Sequence, residues 1–240
     1  METPTRLGLL ELWEQARGLH PLDRALAMAG AAFPDAPREA LAELSAGERD
    51  AVLLELRRAA FGARMPGYAD CPRCGQRLEF TLDAERVRLQ AALPHTAGRT
   101  VRLESGLAFR LPTSRDLARV AGEGGPEAAA RRLADLCRVE AADDGGAADW
   151  PDAVLAEVEA AMAEADPQAD VELDFDCAVC GHPWRVPFDV AGYVWEEIES
   201  RAGRLLVEVH ALARAYGWTE RDILALSDAR RAAYLELAGA

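Results

Sequence analysis

Apolar residues recur every three or four positions through the first sixty residues, and this spacing predicts α-helices. Ser45 and Glu48 have the spacing of a capping box, which predicts the start of a third helix. Gly62 and the turn Met65-Pro66-Gly67 are expected to end this helical region. The apolar positions are Leu9, Leu10, Trp13 and Ala16, then Leu22, Ala25, Leu26 and Ala29, then Val52, Leu53, Leu56 and Ala59.

The apolar period then changes to two, which predicts β-strands. The Ser105-Gly106 turn between two alternating runs predicts a hairpin over residues 101–111. Alternation returns far downstream, in two further runs. The alternating apolar positions are Leu78, Phe80 and Leu82, then Val101, Leu103, Leu107, Phe109 and Leu111, then Val171, Leu173 and Phe175, and finally Trp184, Val186 and Phe188.

Helical spacing is found again between the two β-rich patches and after the second one. Apolar faces around Leu136 and Val158 predict two helices separated by a loop, and the last fifty residues predict a long amphipathic helix followed by two shorter ones. The predicted helix starts are Thr113 with Asp116, Thr219 with Asp222, and Ser227, and the predicted breaks are the loop 143–146 and Gly217.

The composition of the chain mainly excludes certain classes of protein. The 240 residues are 50% hydrophobic and 28% charged, as in a folded globular protein, and the formal net charge is -14. All 27 basic residues are Arg, and neither Lys nor Asn occurs. Both missing residues have A-rich codons, so a GC-rich genome explains the abundance of Arg. Strong acidity argues against binding to nucleic acid or to an anionic membrane, because both reward clustered positive charge.

The acidic charge is concentrated in one part of the chain. Residues 139–184 contain thirteen Asp and Glu residues and no Arg, so the other residues together are nearly neutral. A solvated helix face explains such a run, and shielding of a basic patch on a partner is the functional alternative.

Targeting signals are not apparent in the sequence. The longest apolar or small run, residues 25–33, is far shorter than the ~20 residues that span a bilayer. The apolar residues 7–10 are followed by Glu11, so no secretory signal is expected. The five cysteines include two close pairs, which suits a metal site in the reducing cytoplasm better than a set of disulfides.

The two close pairs are Cys71-Pro-Arg-Cys74-Gly75 and Cys177-Ala-Val-Cys180-Gly181, two copies of one C-x-x-C-G pattern. Thiolates two residues apart can occupy two corners of a zinc tetrahedron from one tight turn. The following glycine permits the left-handed backbone that such a turn needs. We therefore predict a structural zinc ion held by Cys71, Cys74, Cys177 and Cys180, with no position left for catalysis at the metal.

The long separation of the pairs predicts a split zinc ribbon. The fold class expected is α+β, mostly helical, with a small antiparallel zinc-ribbon-like β region interrupted by a helical insertion. Loss of the metal is expected to unfold the middle of the protein. The predicted organisation is an N-terminal helical region over 1–64, the split ribbon over 65–111 and 170–190, the helical insertion over 112–169, and a C-terminal helical region over 191–240.

Other uses of the cysteines and histidines are less favoured by the sequence. A thioredoxin-like pair should open a helix, whereas Cys74 leads into a strand. The H-x-E and P-C-x-x-C motifs of zinc deaminases are absent. His182 could replace a ligand but is more simply a loop residue, and Cys137 reads as a small buried core residue. We find no catalytic triad and no phosphate-binding loop, and we expect no enzymatic activity.

The C-terminal pattern and both cysteine motifs together resemble a known family. The segments that carry the resemblance are Leu19-His20-Pro21-Leu22-Asp23-Arg24-Ala25, both C-x-x-C-G motifs, residues 195–213, and Tyr216-Gly217-Trp218-Thr219-Glu220-Arg-Asp222-Ile223-Leu224. They are similar to baseplate proteins, also labelled baseplate hub assembly chaperones, of tailed phages and contractile injection systems. The Gly-Trp-Thr-Glu-x-Asp-Ile-Leu piece also looks like a short motif of phage tail assembly chaperones.

The resemblance implies a non-enzymatic assembly factor or structural component of a contractile tail, with baseplate or hub subunits as partners. It also implies a cytoplasmic protein, or one within the assembled particle. A zinc-ribbon adaptor for nucleic acid or transcription machinery is the alternative. Such a module should carry basic residues near its cysteines, and Arg73, Arg77 and Arg185 lie there, but so do Asp70, Asp174 and Asp176. An oxidoreductase using its C-x-x-C pairs is a third hypothesis.

Overall fold

The computed structural model describes residues 5–89, 99–139 and 150–239. This part of the chain is mostly helical, with three antiparallel two-stranded sheets, as the α+β prediction expected. The helices are α1 Arg6–Ala16, α2 Pro21–Ala32, α3 Arg38–Ala42, α4 Ala46–Phe61, α5 Ala84–Val87, α6 Ser114–Val120, α7 Pro126–Cys137, α8 Asp152–Ala165, α9 Val190–Tyr216, α10 Glu220–Ala225 and α11 Asp228–Ala238. The strands are β1 Arg64–Asp70, β2 Arg77–Asp83, β3 Thr100–Arg102, β4 Ala108–Arg110, β5 Glu172–Asp176 and β6 Pro183–Pro187, and Pro167–Ala169 form one turn of 3-10 helix.

The helices at the two ends of the chain share one hydrophobic core. Helix α9 packs against α1, α2 and α4, although more than 120 residues separate α9 from α4 along the chain. Leu53 of α4 and Leu205 of α9 are fully buried in this core. The apolar faces predicted for these helices therefore pack together. The main core joins the N-terminal and C-terminal helical regions, which were predicted as separate parts of the chain.

Helix α9 is the longest element, with 27 residues, and its ends follow the local sequence. The Asp189 side chain accepts a hydrogen bond from the backbone of Gly192 and caps its first turn. Gly217 ends the helix in the left-handed conformation at φ 69°, which glycine adopts without a Cβ penalty. The predicted end of the long helix near Gly217 is confirmed.

A buried ion pair fastens α4 to α9. The Arg57 side chain is 1% exposed and donates to both carboxylate oxygens of Glu197, at 2.6 and 2.8 Å. The same guanidinium donates to the backbone carbonyls of Gly62 and Arg64 at the start of β1. One charged side chain thus joins two core helices to the first hairpin.

The first hairpin begins earlier than the sequence predicted. Met65, Pro66 and Gly67 were expected to form a turn, but they lie inside β1 and pair with Leu82, Thr81 and Phe80 of β2. A Cβ on Gly67 would lie 2.7 Å from the Phe80 ring, so the aromatic side chain covers the glycine directly across the hairpin. Cross-strand packing, which local turn propensity does not include, explains the error.

A second, smaller hydrophobic cluster forms around the β3–β4 hairpin. Phe109 of β4 is fully buried against Trp150, and Val158 of α8 and Ala134 of α7 complete the cluster. The predicted Ser105-Gly106 turn is present, with Gly106 at φ 86°. The predicted organisation grouped this hairpin with the zinc ribbon, whereas its apolar side chains pack with the helices that follow it. The predicted loop 143–146 lies outside the described residues.

The start of α6 is held by a buried carboxylate. Asp116 accepts hydrogen bonds from the backbone N–H and the hydroxyl of Thr113, at 2.9 and 2.7 Å. It also accepts two from Arg110 of β4, at 2.5 and 2.8 Å. Burial raises the pKa of Asp116, but the hydrogen bonds from Arg110 and Thr113 outweigh burial and lower the pKa to about 2. The Thr113–Asp116 pair predicted from the sequence therefore also joins α6 to the hairpin.

We expect Asp116→Asn to lower the free energy of unfolding at pH 7 by about 2 kcal/mol, because each unit of pKa difference between the folded and unfolded states is worth about 1.4 kcal/mol. The folded pKa lies below the ordinary value of 3.8, so this stabilisation is complete above about pH 4 and is lost as the pH falls toward 2. Urea unfolding of the wild type and of Asp116→Asn at pH 7 and at acid pH measures this difference in the free energy of unfolding.

Asp23→Asn is the matched control, because Asp23 pairs with Arg38 on the surface and both side chains are about half exposed. A difference between wild type and Asp116→Asn that is equally large near pH 2 would contradict the assignment.

Candidate metal centre

The four cysteines of the two C-x-x-C-G motifs come together in the structure. Their Sγ atoms all lie within 4.8 Å of one another, with 3.7 Å between Cys71 and Cys180 and 3.6 Å between Cys74 and Cys177. The predicted ligand residues therefore form one cluster, although 103 residues separate Cys74 from Cys177. Two of the thiols are buried, those of Cys71 and Cys177.

Each pair sits at the tip of a hairpin and has the same backbone geometry. In the first, the N–H of Gly75 donates to the carbonyl of Cys71, and the N–H of Cys71 donates to the carbonyl of Gln76, both at 2.9 Å. In the second, the N–H of Gly181 donates to Cys177 and the N–H of Cys177 donates to His182, at 2.8 and 3.0 Å.

The two glycines make these turns possible. Gly75 and Gly181 have φ values of 71° and 67°, in the left-handed region that favours glycine. This is the role that the sequence predicted for the glycine after each pair. The turn brings both thiols of a pair to the same side of the hairpin tip.

The hairpins that carry the cysteines face each other through aromatic side chains. Phe80 of β2 contacts Phe175 of β5, with ring centroids 5.0 Å apart, and Phe175 stacks on Trp184 of β6 at 5.3 Å. The two hairpins are separate sheets with no strand pairing between them. Their contact therefore depends on these rings and on the cysteine cluster. The alternating pattern identified the rings as one face of each strand but could not show that the two faces meet.

The cluster fits a tetrahedral metal ion. With metal–sulfur bonds of about 2.3 Å, the sulfurs of a tetrahedral four-thiolate site lie about 3.8 Å apart. The separations of 3.6 and 3.7 Å are close to this value. Four sulfur donors are the set that zinc and other thiophilic metals prefer. The four side chains are therefore close enough together to hold a metal ion.

Backbone hydrogen bonds prepare one of the thiols for metal binding. Hydrogen bonds from the backbone of Cys180 and Val179 outweigh burial and lower the pKa of Cys177 to about 6. At Cys74, a backbone hydrogen bond from Gln76 lowers the pKa, but burial and the neighbouring thiols outweigh it and raise the pKa to about 12. Metals bind the thiolate, so the hydrogen bonds to Cys177 favour the form of the side chain that a metal needs.

Carboxylates neutralise the arginines beside the cluster. Arg77 donates to both oxygens of Asp70, at 2.9 and 3.1 Å. Arg185 donates to Asp174 at 2.8 Å and to Glu172 at 3.0 Å. Arg73 is exposed at the first tip. The hairpins thus present paired charges rather than a basic surface.

The remaining candidate residues lie away from the ligand set or beside it. Cys137 is fully buried at the end of α7, where burial raises the pKa of its thiol to about 12, as expected of a core residue. His182 is half-buried on the second loop and its ring stacks on Trp184. Among the described residues, the four cysteines form the one group suited to a metal, and His182 is outside it.

Comparison with known proteins gives one match, which covers part of the chain. No helix in the described ranges has the length and apolar character needed to cross a membrane. The chain has no significant match among curated proteins or solved structures. Residues 31–141 match the family model of the T4 bacteriophage base plate protein. The match runs from the end of α2 through α7 and includes the first cysteine pair but not the second. It supports a baseplate-related protein with a structural or assembly role.

Proposed function

We propose that this protein is a non-enzymatic assembly factor or structural component of a contractile-tail baseplate, folded around one zinc ion. The observation that carries the proposal is the match of residues 31–141 to the base plate family model. Its partners are baseplate or hub subunits, in keeping with the hub-chaperone motifs of the C-terminal region. We place its work in the cytoplasm, where thiols stay reduced, with incorporation into the particle as a possible end point.

Zinc is the proposed metal because all four donors are thiolates at tetrahedral spacing. When bound, it supplies a fixed link between the two hairpins, which share little other contact. Four protein thiolates complete its coordination and leave no position for a substrate. This arrangement supports a structural role for the metal and a protein that acts by binding.

The charges around the cysteines favour this function over the nucleic-acid adaptor. An adaptor of that kind needs unpaired basic residues near its knuckles to contact phosphates. Arg77 and Arg185 are engaged by three carboxylates in the same hairpins. An exposed polyanion would have to displace these ion pairs and approach the acidic residues that make them.

Co-purification tests the proposal. The tagged protein is expressed with the neighbouring tail genes, and proteins retained with it are identified by mass spectrometry. We expect baseplate or hub subunits to be retained, and RNA polymerase or nucleic acid in their place would support the adaptor. Retention of tail subunits should resist nuclease treatment, since the contacts proposed are between proteins. A chain that retains no tail protein while it is fully folded and metal-loaded would contradict the proposal.

A further inference from the structure

The outer face of α9 carries an exposed stripe that the rest of the described chain does not cover. Val207 is 69% exposed and Leu206 is 39% exposed in the middle of this helix. The buried positions of α9, among them Ala202 and Leu212, lie on the opposite side. We define the outer stripe by six exposed residues on this side of the helix: Glu196, Gly203, Leu206, Val207, His210 and Arg214.

Charge is distributed unevenly along the outer stripe. Glu196 lies at its beginning and Arg214 at its end, and both are exposed. At 1.5 Å per residue, the two are about 27 Å apart, so they cannot pair within one helix. Between them the stripe carries Gly203, Leu206, Val207 and His210, and the exposed Glu199 and Ser200 lie beside its first half. A helix that meets this surface should therefore be basic opposite Glu196 and acidic opposite Arg214.

Gly203 is unusual within a long helix and has no explanation inside the chain. Glycine weakens a helix interior because it lacks a side chain and loses more backbone freedom on folding. A Cβ at Gly203 would meet no atom of the described residues within 4 Å, so no packing among them requires the glycine. Close approach of another helix is the ordinary reason for such a residue.

We infer that α9 forms a homodimer by packing antiparallel against α9 of a second copy through the outer stripe. A single two-fold symmetric register accounts for both the charged ends of the stripe and the glycine near its centre. It pairs Glu196 of each copy with Arg214 of the other, and it sets Val207 of each copy against Gly203 of the other. Such an interface is isologous, so each contact occurs twice and the assembly closes as a dimer. The inference does not depend on the proposed function.

The size of the outer stripe limits the expected affinity of the dimer. One helix pair over 19 residues buries less than the roughly 1,600 Å² of a standard interface. We therefore expect a dissociation constant on the order of micromolar rather than a permanent dimer. Sedimentation velocity of the full-length, metal-loaded chain over a range of concentrations measures the monomer–dimer equilibrium.

Charge variants test the register. Glu196→Arg and Arg214→Glu should each raise the dissociation constant at least tenfold, because each puts like charges opposite each other. An equimolar mixture of the two variants should associate again, since each then meets the opposite charge. The double variant should also restore the homodimer. A parallel arrangement places position 196 opposite 196 and position 214 opposite 214, so like charges meet in the wild type and in each variant alike. Single variants that associate as tightly as the wild type, or a double variant that fails to associate, would therefore overturn the antiparallel register.

Two further variants separate association from folding. Gly203→Leu should leave the thermal midpoint unchanged or raise it, while it abolishes dimerisation by filling the space for Val207. Val207→Arg should also give a monomer. Leu237→Arg is the matched control, because Leu237 is 77% exposed on a different helix, α11, and is not part of the stripe, so the change should not affect association. A wild-type chain that stays monomeric at high micromolar concentration would overturn the proposal and leave the stripe to a different partner.

Discussion

Removal of the metal, or Cys71→Ser, is expected to separate the two hairpins and to lower stability more than any other single change to this protein. Structural zinc contributes apparent binding energies of about 10–16 kcal/mol to zinc-finger peptides at pH 7. Two-stranded hairpins are at best marginally stable alone. Here the two hairpins form no strand pairs with each other, and the ring contact of Phe80 with Phe175 joins them beside the cysteines. Without the metal, few interactions would hold them together.

The helical core should survive this loss in part. Only a few side chains from the hairpin region, among them Met65 and Val171, belong to the main hydrophobic cluster. We therefore expect far-ultraviolet circular dichroism to retain most helical signal, while near-ultraviolet signal from Trp184 is lost. Hydrogen exchange of residues 64–83 and 172–187 should increase strongly. The sequence alone predicted that loss of the metal unfolds the middle of the protein, and the structure limits the expected unfolding to the two hairpins.

Metal analysis and a matched cysteine variant test whether the metal has this structural role. The wild-type chain should carry about one zinc per molecule, as a single four-thiolate site requires. Cys71→Ser should lose the metal and resemble the chelator-treated wild type. Cys137→Ala should keep it, because Cys137 is buried elsewhere, in α7. A metal-free wild-type chain with unchanged stability and unchanged hydrogen exchange would disprove the structural role.

Arg57→Met is expected to lower the free energy of unfolding by about 3 kcal/mol, within the range for breaking a buried ion pair. The substitution keeps most of the side-chain volume but removes the donors to Glu197 and to the carbonyls of Gly62 and Arg64. Those acceptors then lose partners in a site where water has little access. Urea unfolding of the metal-loaded protein measures the loss.

The neighbouring residue supplies the control. Arg58 lies on the same helix and pairs with Glu55, but its side chain is 42% exposed. Arg58→Met should change the free energy of unfolding by less than about 1 kcal/mol, as surface ion pairs usually do. A double-mutant cycle between Arg57 and Glu197 then isolates their coupling. Equal losses for Arg57→Met and Arg58→Met would contradict the buried-pair assignment.

Local sequence signals accounted for most of the secondary structure. Ser45 caps α4 in the predicted capping box, with reciprocal hydrogen bonds to Glu48 at 3.0 and 3.1 Å. Thr219 and Ser227 begin the last two helices as expected. These signals succeed because a cap involves residues three positions apart, so the sequence contains the whole interaction. The strand residues Met65 to Gly67 were missed because their partners, Leu82 to Phe80, lie across a hairpin.

The cysteine cluster was predictable for a different reason. A metal ion imposes its own geometry, so the spacing within each motif and the glycine after it indicate the coordination without knowledge of the fold. How the arginines nearby would pair was not predictable. Arg185 binds Asp174 and Glu172 only because β6 lies beside β5. These cross-strand ion pairs therefore add to the argument that net charge already makes against a nucleic-acid surface.

By itself, the sequence determined the ends of most helices, the alternating strands and the four candidate ligands, because each depends on residues close together in the chain or on the fixed demands of a metal. Only the tertiary structure decided that α9 completes the core of the N-terminal helices and that Arg57 meets Glu197 across 140 residues. It also decided that the β3–β4 hairpin packs with α7 and α8, away from the cysteines. Contacts between distant segments depend on shape and burial in three dimensions, and an amphipathic pattern shows that a face is buried without showing what buries it.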